Sequence, residues 1–187
     1  VVREDKNGTK ASATYTPKVT PVTPTAAPTT STDIQGATQT GKPVFTEGDS
    51  RVPMNDDVPA TFEDGSTTKT IPGVGTYTVA ADGTVTFVPE KSFTGTAPAV
   101  TVVREDKNGT KASATYTPTV TPVTPTAAPA ETTDIQGATQ TGKPTFAGTT
   151  VSVNGEDKEI TIKDNSYKLL DKDGNEVSTT TAYAEDG

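Results

Sequence analysis

The 187-residue chain contains no cysteine, no histidine and no tryptophan. Without cysteine it can form no disulfide, no thiolate metal site and no thiol nucleophile, and its redox compartment stays open. Without imidazole it can build no Ser-His-Asp triad, no histidine-ligated zinc and no ordinary proton shuttle near neutral pH. Hydrophobic residues make up 30% and aromatics 5% of the chain, so any core is lean and stability is expected to be low for the size. Positive charge is also short. Lys plus Arg number 16 against 24 Asp plus Glu, a net charge of −8, which repels phosphate backbones and anionic lipid surfaces. Apolar runs are only a handful of residues, too short for a membrane span. These absences argue against an enzyme, a cofactor site, a nucleic-acid partner and membrane insertion. Val1 opens in the middle of a strand-like pattern with no signal peptide, as expected of an internal fragment.

Threonine is abundant, at 41 residues, and its β-branched side chain suits strands and extended segments. The sequence also repeats. "VVREDKNGTKASATYTP" begins at Val1 and again at Val102, and "TDIQGATQTGKP" begins at Thr32 and again at Thr133, the same offset of 101 residues. Residues 1–43 and 102–144 differ only at Lys18/Thr119, Thr29/Ala130, Thr30/Glu131 and Ser31/Thr132. Beyond Pro43 and Pro144 the copies diverge. A period this long suits tandem small domains better than solenoid turns.

The expected organisation follows from that offset. Residues 1–17 are the C-terminal end of a preceding repeat, 18–32 a Thr/Pro linker, and 33–117 one complete β repeat. Residues 118–133 are a second Thr/Pro linker, and 134–187 the N-terminal part of a following, variant repeat. In the linkers prolines recur at 17, 21, 24 and 28 and at 118, 122, 125 and 129. Proline fixes φ and extends its predecessor, so polyproline II is expected. A spacer of roughly 14 such residues spans about 40 Å. Its threonines are candidates for O-glycosylation, and an unmodified linker is the plainer reading.

Within 33–117, "GTYTVAADGTVTFVP" (75–89) reads as a hairpin. Tyr77 and Val79 share one face with Val85 and Phe87, and Asp82-Gly83 forms the turn. "AVTVVREDKNGTKASATY" (99–116) is a second, turning at Asn108-Gly109. Shorter strands are expected at 42–45 and 59–62, the latter followed by an Asp64-Gly65 turn. The fold class is therefore all-β: small β-sandwiches of immunoglobulin-like architecture, joined by extended Thr/Pro-rich linkers, with partial disorder where the core is thin. The expected core is Phe45, Val58, Phe62, Ile71, Val74, Tyr77, Val79, Val85, Phe87, Phe93, Val100, Val102 and Tyr116.

The candidate sites are few, and each has a plainer explanation. Glu47, Asp49, Asp56, Asp57, Glu63 and Asp64 supply oxygens that calcium could use, though such clusters are more often solvated loop faces. "DKDGNE" (171–176) starts like an EF-hand loop but has Glu176 at position six and Ala182 at position twelve, so a hairpin turn fits better. Asn7 and Asn108 stand in N-x-T glycosylation patterns that are equally Asn-Gly turns. Lys69, Lys91 and Lys107 are possible amine donors for an isopeptide crosslink, with no partner set identified. Scattered carboxylates give no glycosidase cleft.

The segment "TFEDGSTTKTIPGVGTYTVAADGTVTFVPEKSFTGTAPAVTVVREDKNGTKASATYTP" (61–118), followed by the Thr-Pro joint and "DIQGATQTGKPTF", resembles the CshA-type fibril repeat of streptococcal and related Gram-positive surface adhesins. The likeness spans essentially the whole chain, with 145–187 departing as a variant copy. It implies an extracellular, cell-wall-anchored fibril in which neighbouring repeats of the same chain are the partners and host proteins are bound by other regions. No catalytic, cofactor-binding or metal residue carries over. A structural stalk is the expected function. If each bead adds some 30–40 Å and each linker about 40 Å, a dozen repeats would reach on the order of 900 Å. The alternative is a weak adhesive module made effective by multivalency, binding host glycoprotein or neighbouring cells.

Overall fold

The computed structural model describes residues 1–177, and every regular element among them is a strand. A first hairpin pairs Val2–Glu4 (β1) with Lys10–Ser12 (β2). Next come Thr25–Ala27 (β3), Thr29–Ile34 (β4), Gln39–Gly41 (β5), Val44–Thr46 (β6), Thr61–Phe62 (β7) and Thr68–Ile71 (β8). Gly75–Val79 (β9), Val85–Pro89 (β10), Gly95–Thr96 (β11), Val100–Glu105 (β12) and Lys111–Thr121 (β13) follow. Beyond them lie Thr126–Ala128 (β14), Thr145–Ala147 (β15), Thr149–Val153 (β16) and Glu156–Ile160 (β17).

The central unit is a two-sheet sandwich. One sheet runs β5-β10-β9-β8, and the other runs β11-β13-β12-β7 with β4 joined to β13. In both expected hairpins the alternation of apolar and polar residues sets the register. Val85 faces Val79 and Phe87 faces Tyr77, so one side of the β9–β10 ribbon is wholly apolar, as a period of two requires. The Asp-Gly and Asn-Gly turns place Gly83 and Gly109 at φ 89° and 79°, angles that cost a side-chain-bearing residue dearly. Tyr77 and Phe87 pack with ring centroids 4.6 Å apart. Phe62, Val100, Val102, Tyr116 and Val120 meet them from the facing sheet.

Most of the expected core is buried, with Phe45, Ile71, Val74 and Phe93 packed around its rim. Val58 is an exception and stays exposed, because it sits in a loop whose backbone turns back on Asn55. Ile34, Ala60, Ala97 and Val120 are buried and were not expected to be.

The larger difference lies in the Thr/Pro stretches. Parts of both are strands, not polyproline II. β13 continues from Lys111 to Thr121, and its second half pairs in parallel with β4, Tyr116 opposite Thr29 through Thr121 opposite Ile34. Pro118 is accommodated because its carbonyl still accepts from Ala97 N at 2.9 Å. Its missing N–H points along that same side, where the neighbouring strand breaks between β11 and β12, so the ladder loses one bond at most. Inward-facing Tyr116, Pro118 and Val120 are all buried, and that burial outweighs the intrinsic preference of the Thr-Pro pattern.

Candidate functional site

For a tandem array the informative place is the boundary between successive units. Only 122–125 separate the end of β13 from β14, and Gln35 of the central unit reaches one residue of this stretch. Gln35 N donates to Thr121 O at 2.9 Å, and Gln35 Oε1 accepts from Val123 N at 3.3 Å. Gln35 Nε2 donates to Lys91 O at 2.8 Å. The expected free spacer of about 40 Å is thus replaced by a short connection held against the central unit.

The following unit then turns back. β16 and β17 form a hairpin whose tight turn holds Asn154 at φ 55° and Gly155 at φ 81°, a pair of left-handed residues typical of two-residue hairpin loops. The turn aims the Asn154 side chain at the central unit, where Nδ2 donates to Thr32 O at 3.1 Å. From β17, Lys158 Nζ donates to Asp33 Oδ1 and Oδ2, each at 2.7 Å. Asp33 Oδ1 also accepts from Ile34 N at 2.7 Å, so the carboxylate is fixed before the lysine arrives. Both charged side chains are partly shielded from solvent, where an ion pair is less screened than on an open surface. β4 is therefore gripped between the closing strand of its own unit and the hairpin of the next.

Beneath β4 lies a buried polar network. Ser31 Oγ donates to Gln39 Oε1 at 2.5 Å, and Gln39 Nε2 donates to Thr119 O at 3.0 Å. Ser31 Oγ is thus committed as a donor, so Tyr116 Oη donates to it across 2.7 Å. The Tyr116 ring covers Gly41 so closely that a Cβ there would overlap it. Burial raises the Tyr116 phenol above its ordinary value. Tyr77, buried beside Tyr116 and donating to Pro98 O at 2.8 Å, is pushed up to about 12.

The acidic candidates do not converge. Asp49 is held well below the usual carboxylate range by hydrogen bonds from Arg51. Asp57 is lowered by Lys107, and Asp64 by hydrogen bonds from Ser66. Asp56 pairs with Arg104 at 2.7 Å, while Glu47 and Glu63 are exposed. Among the described residues no three acids come together as a metal cluster. At 171–176, Asp171 Oδ1 accepts from Asp173 N and Asn175 N at 2.9 Å each, and Leu170 bridges Glu176. This is a closed turn, with Ala182 outside the described residues. Asn108 lies in the same kind of turn, where buried Asp106 Oδ1 accepts from Asn108 N and Thr110 N. Asp5 repeats it for Asn7 and Thr9. Lys69, Lys91 and Lys107 are all exposed, unlike the desolvated amine that a spontaneous amide bond needs.

Sequence reading missed Asp33, Asn154 and Lys158. The available signal was the Asn154-Gly155 turn between two alternating segments, TTVSV and EDKEI, in the diverged part of the second copy.

The family model of the surface adhesin CshA repetitive domain matches residues 21–120 and again 122–186. The chain belongs to this family. Among solved structures, it is similar to repeat domain 13 of the fibrillar adhesin CshA from Streptococcus gordonii. That likeness shows 60% sequence identity, covers 37% of this chain and 90% of that one, and has a TM-score of 0.22. No curated protein matches the chain.

Proposed function

We propose that the chain is a stalk segment of a wall-anchored fibrillar adhesin, non-enzymatic, in which repeats of roughly 100 residues dock end to end and carry an adhesive region away from the cell. The units are 21–121 and the residues from 122 onward, with no long free linker between them. The observation that carries this reading is the joint. Lys158 and Asn154 of one unit bond Asp33 and Thr32 of the one before, so extension comes from docked bodies more than from polyproline spacers. A lean but closed core suits a module whose work is reach. Within the central unit no aromatic side chain, the kind of residue that most often anchors protein partners, is exposed.

The test is solid-phase binding of the purified 187-residue chain to host-cell matrix glycoproteins and to whole bacteria. A stalk gives no saturable binding at micromolar concentration. Saturable binding, lost on mutating one surface of the central unit, would replace this reading with the multivalent adhesive one.

A further inference from the structure

Two polar side-chain atoms in the central unit are buried without a hydrogen-bond partner, the donor Arg104 Nε and the acceptor Asp106 Oδ2. They belong to alternate residues at the end of β12, so both side chains leave one side of the strand with about 7 Å between their Cβ atoms. That side faces the core, since Val100 and Val102 precede them in the same alternation and are buried. Asp106 is fixed in place, because its Oδ1 accepts from Asn108 N at 2.9 Å and Thr110 N at 2.8 Å.

The Arg104 guanidinium reaches the other way. Its Nη2 donates to Asp56 Oδ1 at 2.7 Å, and the Asp56 side chain is 90% exposed against 11% for Arg104. Asp56 sits in a turn at 55–58, where Asn55 O accepts from Val58 N at 3.4 Å and Asn55 Oδ1 from Asp57 N at 3.2 Å. Backbone bonds anchor this turn on both flanks, Asn55 N donating to Glu105 O and Ala60 N to Ala81 O. Between the anchors residues 56–59 are all exposed, and two cations fasten them, Arg104 on Asp56 and Lys107 on Asp57.

Two carboxylates therefore compete for one guanidinium. A buried donor and a buried acceptor left unmade cost more than an exposed ion pair returns, so the outward position of Arg104 holds no large advantage over an inward one. The side-chain stem is packed under the Gly83 turn, where a Cβ on Gly83 would lie 3.5 Å from Arg104 Cδ. Reaching Asp106 takes rotation of the outer bonds and no repacking of the core.

We infer that Arg104 is a two-position latch. Turned out, it fastens the 55–58 turn through Asp56. Turned in, it donates from Nε to Asp106 Oδ2, satisfies both orphaned atoms and leaves the turn held by Lys107 alone. The β12–β13 ladder is the same in both positions, so the latch loosens a strap at the end of the sandwich without opening the sandwich. The two positions are populations of one folded state.

Hydrogen exchange at Arg104 Nε–H and at the amides of Asp57 and Val58, followed by NMR in the whole 187-residue chain, tests this. The chain has three arginines, so the Nε–H signals separate. Asp56→Asn alters a surface side chain and leaves the core as it is. It is expected to slow Arg104 Nε–H exchange about threefold to tenfold, because the guanidinium commits to Asp106, and to quicken exchange at Asp57 and Val58 by a similar factor. Adding Asp106→Asn to it removes the inner acceptor and should abolish the slowing. A plain surface ion pair gives the opposite sign. Arg104 Nε–H exchange that is unchanged or faster in Asp56→Asn overturns the latch, and so does slowing that survives the addition of Asp106→Asn.

Discussion

Asp33 and Lys158 are 125 positions apart in the chain and face each other across the boundary between two repeats, the ammonium 2.7 Å from each carboxylate oxygen. The pair is bidentate on the carboxylate, partly shielded, and backed by the Asn154 bond to Thr32. It joins two units at a place where composition suggests only a loose Thr/Pro spacer.

Removing the lysine should free the joint without unfolding either unit. Lys158→Ala is expected to lose about 1 kcal/mol of docking energy, in the upper range for pairs of this kind. Amide relaxation would show residues 145–160 tumbling faster than the central sandwich, while the melting of the sandwich stays unchanged. Raising the salt of the parent protein should move its relaxation part of the way toward the variant.

The two copies of one sequence supply an internal control for the role of β13. Val120→Ala removes methyl groups from a closed core and should cost about 2 kcal/mol. The equivalent Val19→Ala should leave the melting of the central unit unchanged, since Val19 is exposed. Urea unfolding of each variant, followed at the tyrosines, compares them directly.

Gly41 and Gly142 form a second such pair. A methyl group at position 41 would collide with the Tyr116 ring, so Gly41→Ala should destabilise the central unit by about 1–3 kcal/mol. Gly142→Ala makes only ordinary van der Waals contact with Thr132 and Ala130 among the described residues and should be neutral for that unit. Equal effects at the two positions would contradict the seating of Tyr116.

Alkaline titration should find the buried phenols. The folded-state value of Tyr77 is raised to about 12 by burial first and by Tyr116 second, and burial raises Tyr116 as well. Both groups are acids whose value is raised on folding, so the unfolded chain releases their protons first. The stability tied to keeping them neutral is complete below the ordinary phenol value of about 10 and drains away as pH rises toward 12. Melting temperatures should therefore fall across that window, and Tyr77→Phe should flatten the fall, separating it from lysine deprotonation.

The hairpins at 75–89 and 99–116 were legible because a strict period of two ran into Asp-Gly and Asn-Gly turns, both local signals. The lone Asp5 turn in β1–β2 shows how local they are. It forms there with the same bonds as Asp106 has, though its strands are fully exposed. β4 and the end of β13 were not legible. Proline statistics describe an isolated segment, whereas Tyr116, Pro118 and Val120 are held by partners some 87 residues away along the chain. Thr29–Ile34 and its counterpart 130–135, which share three of six residues, differ in the same way, since one is a strand and the other is not. The joint was hidden for a further reason. Asp33 and Lys158 look like ordinary surface charges until the fold of two units brings them together.

The most direct test of a docked stalk is a set of residual dipolar couplings from amides of the central unit and of the β16–β17 hairpin, measured in one sample of the whole chain. The account predicts that a single alignment tensor fits both sets, and that Lys158→Ala splits it. Couplings of the hairpin scaled far below those of the sandwich in the parent protein would mean that the units hang on a flexible tether, and the docked joint would be wrong.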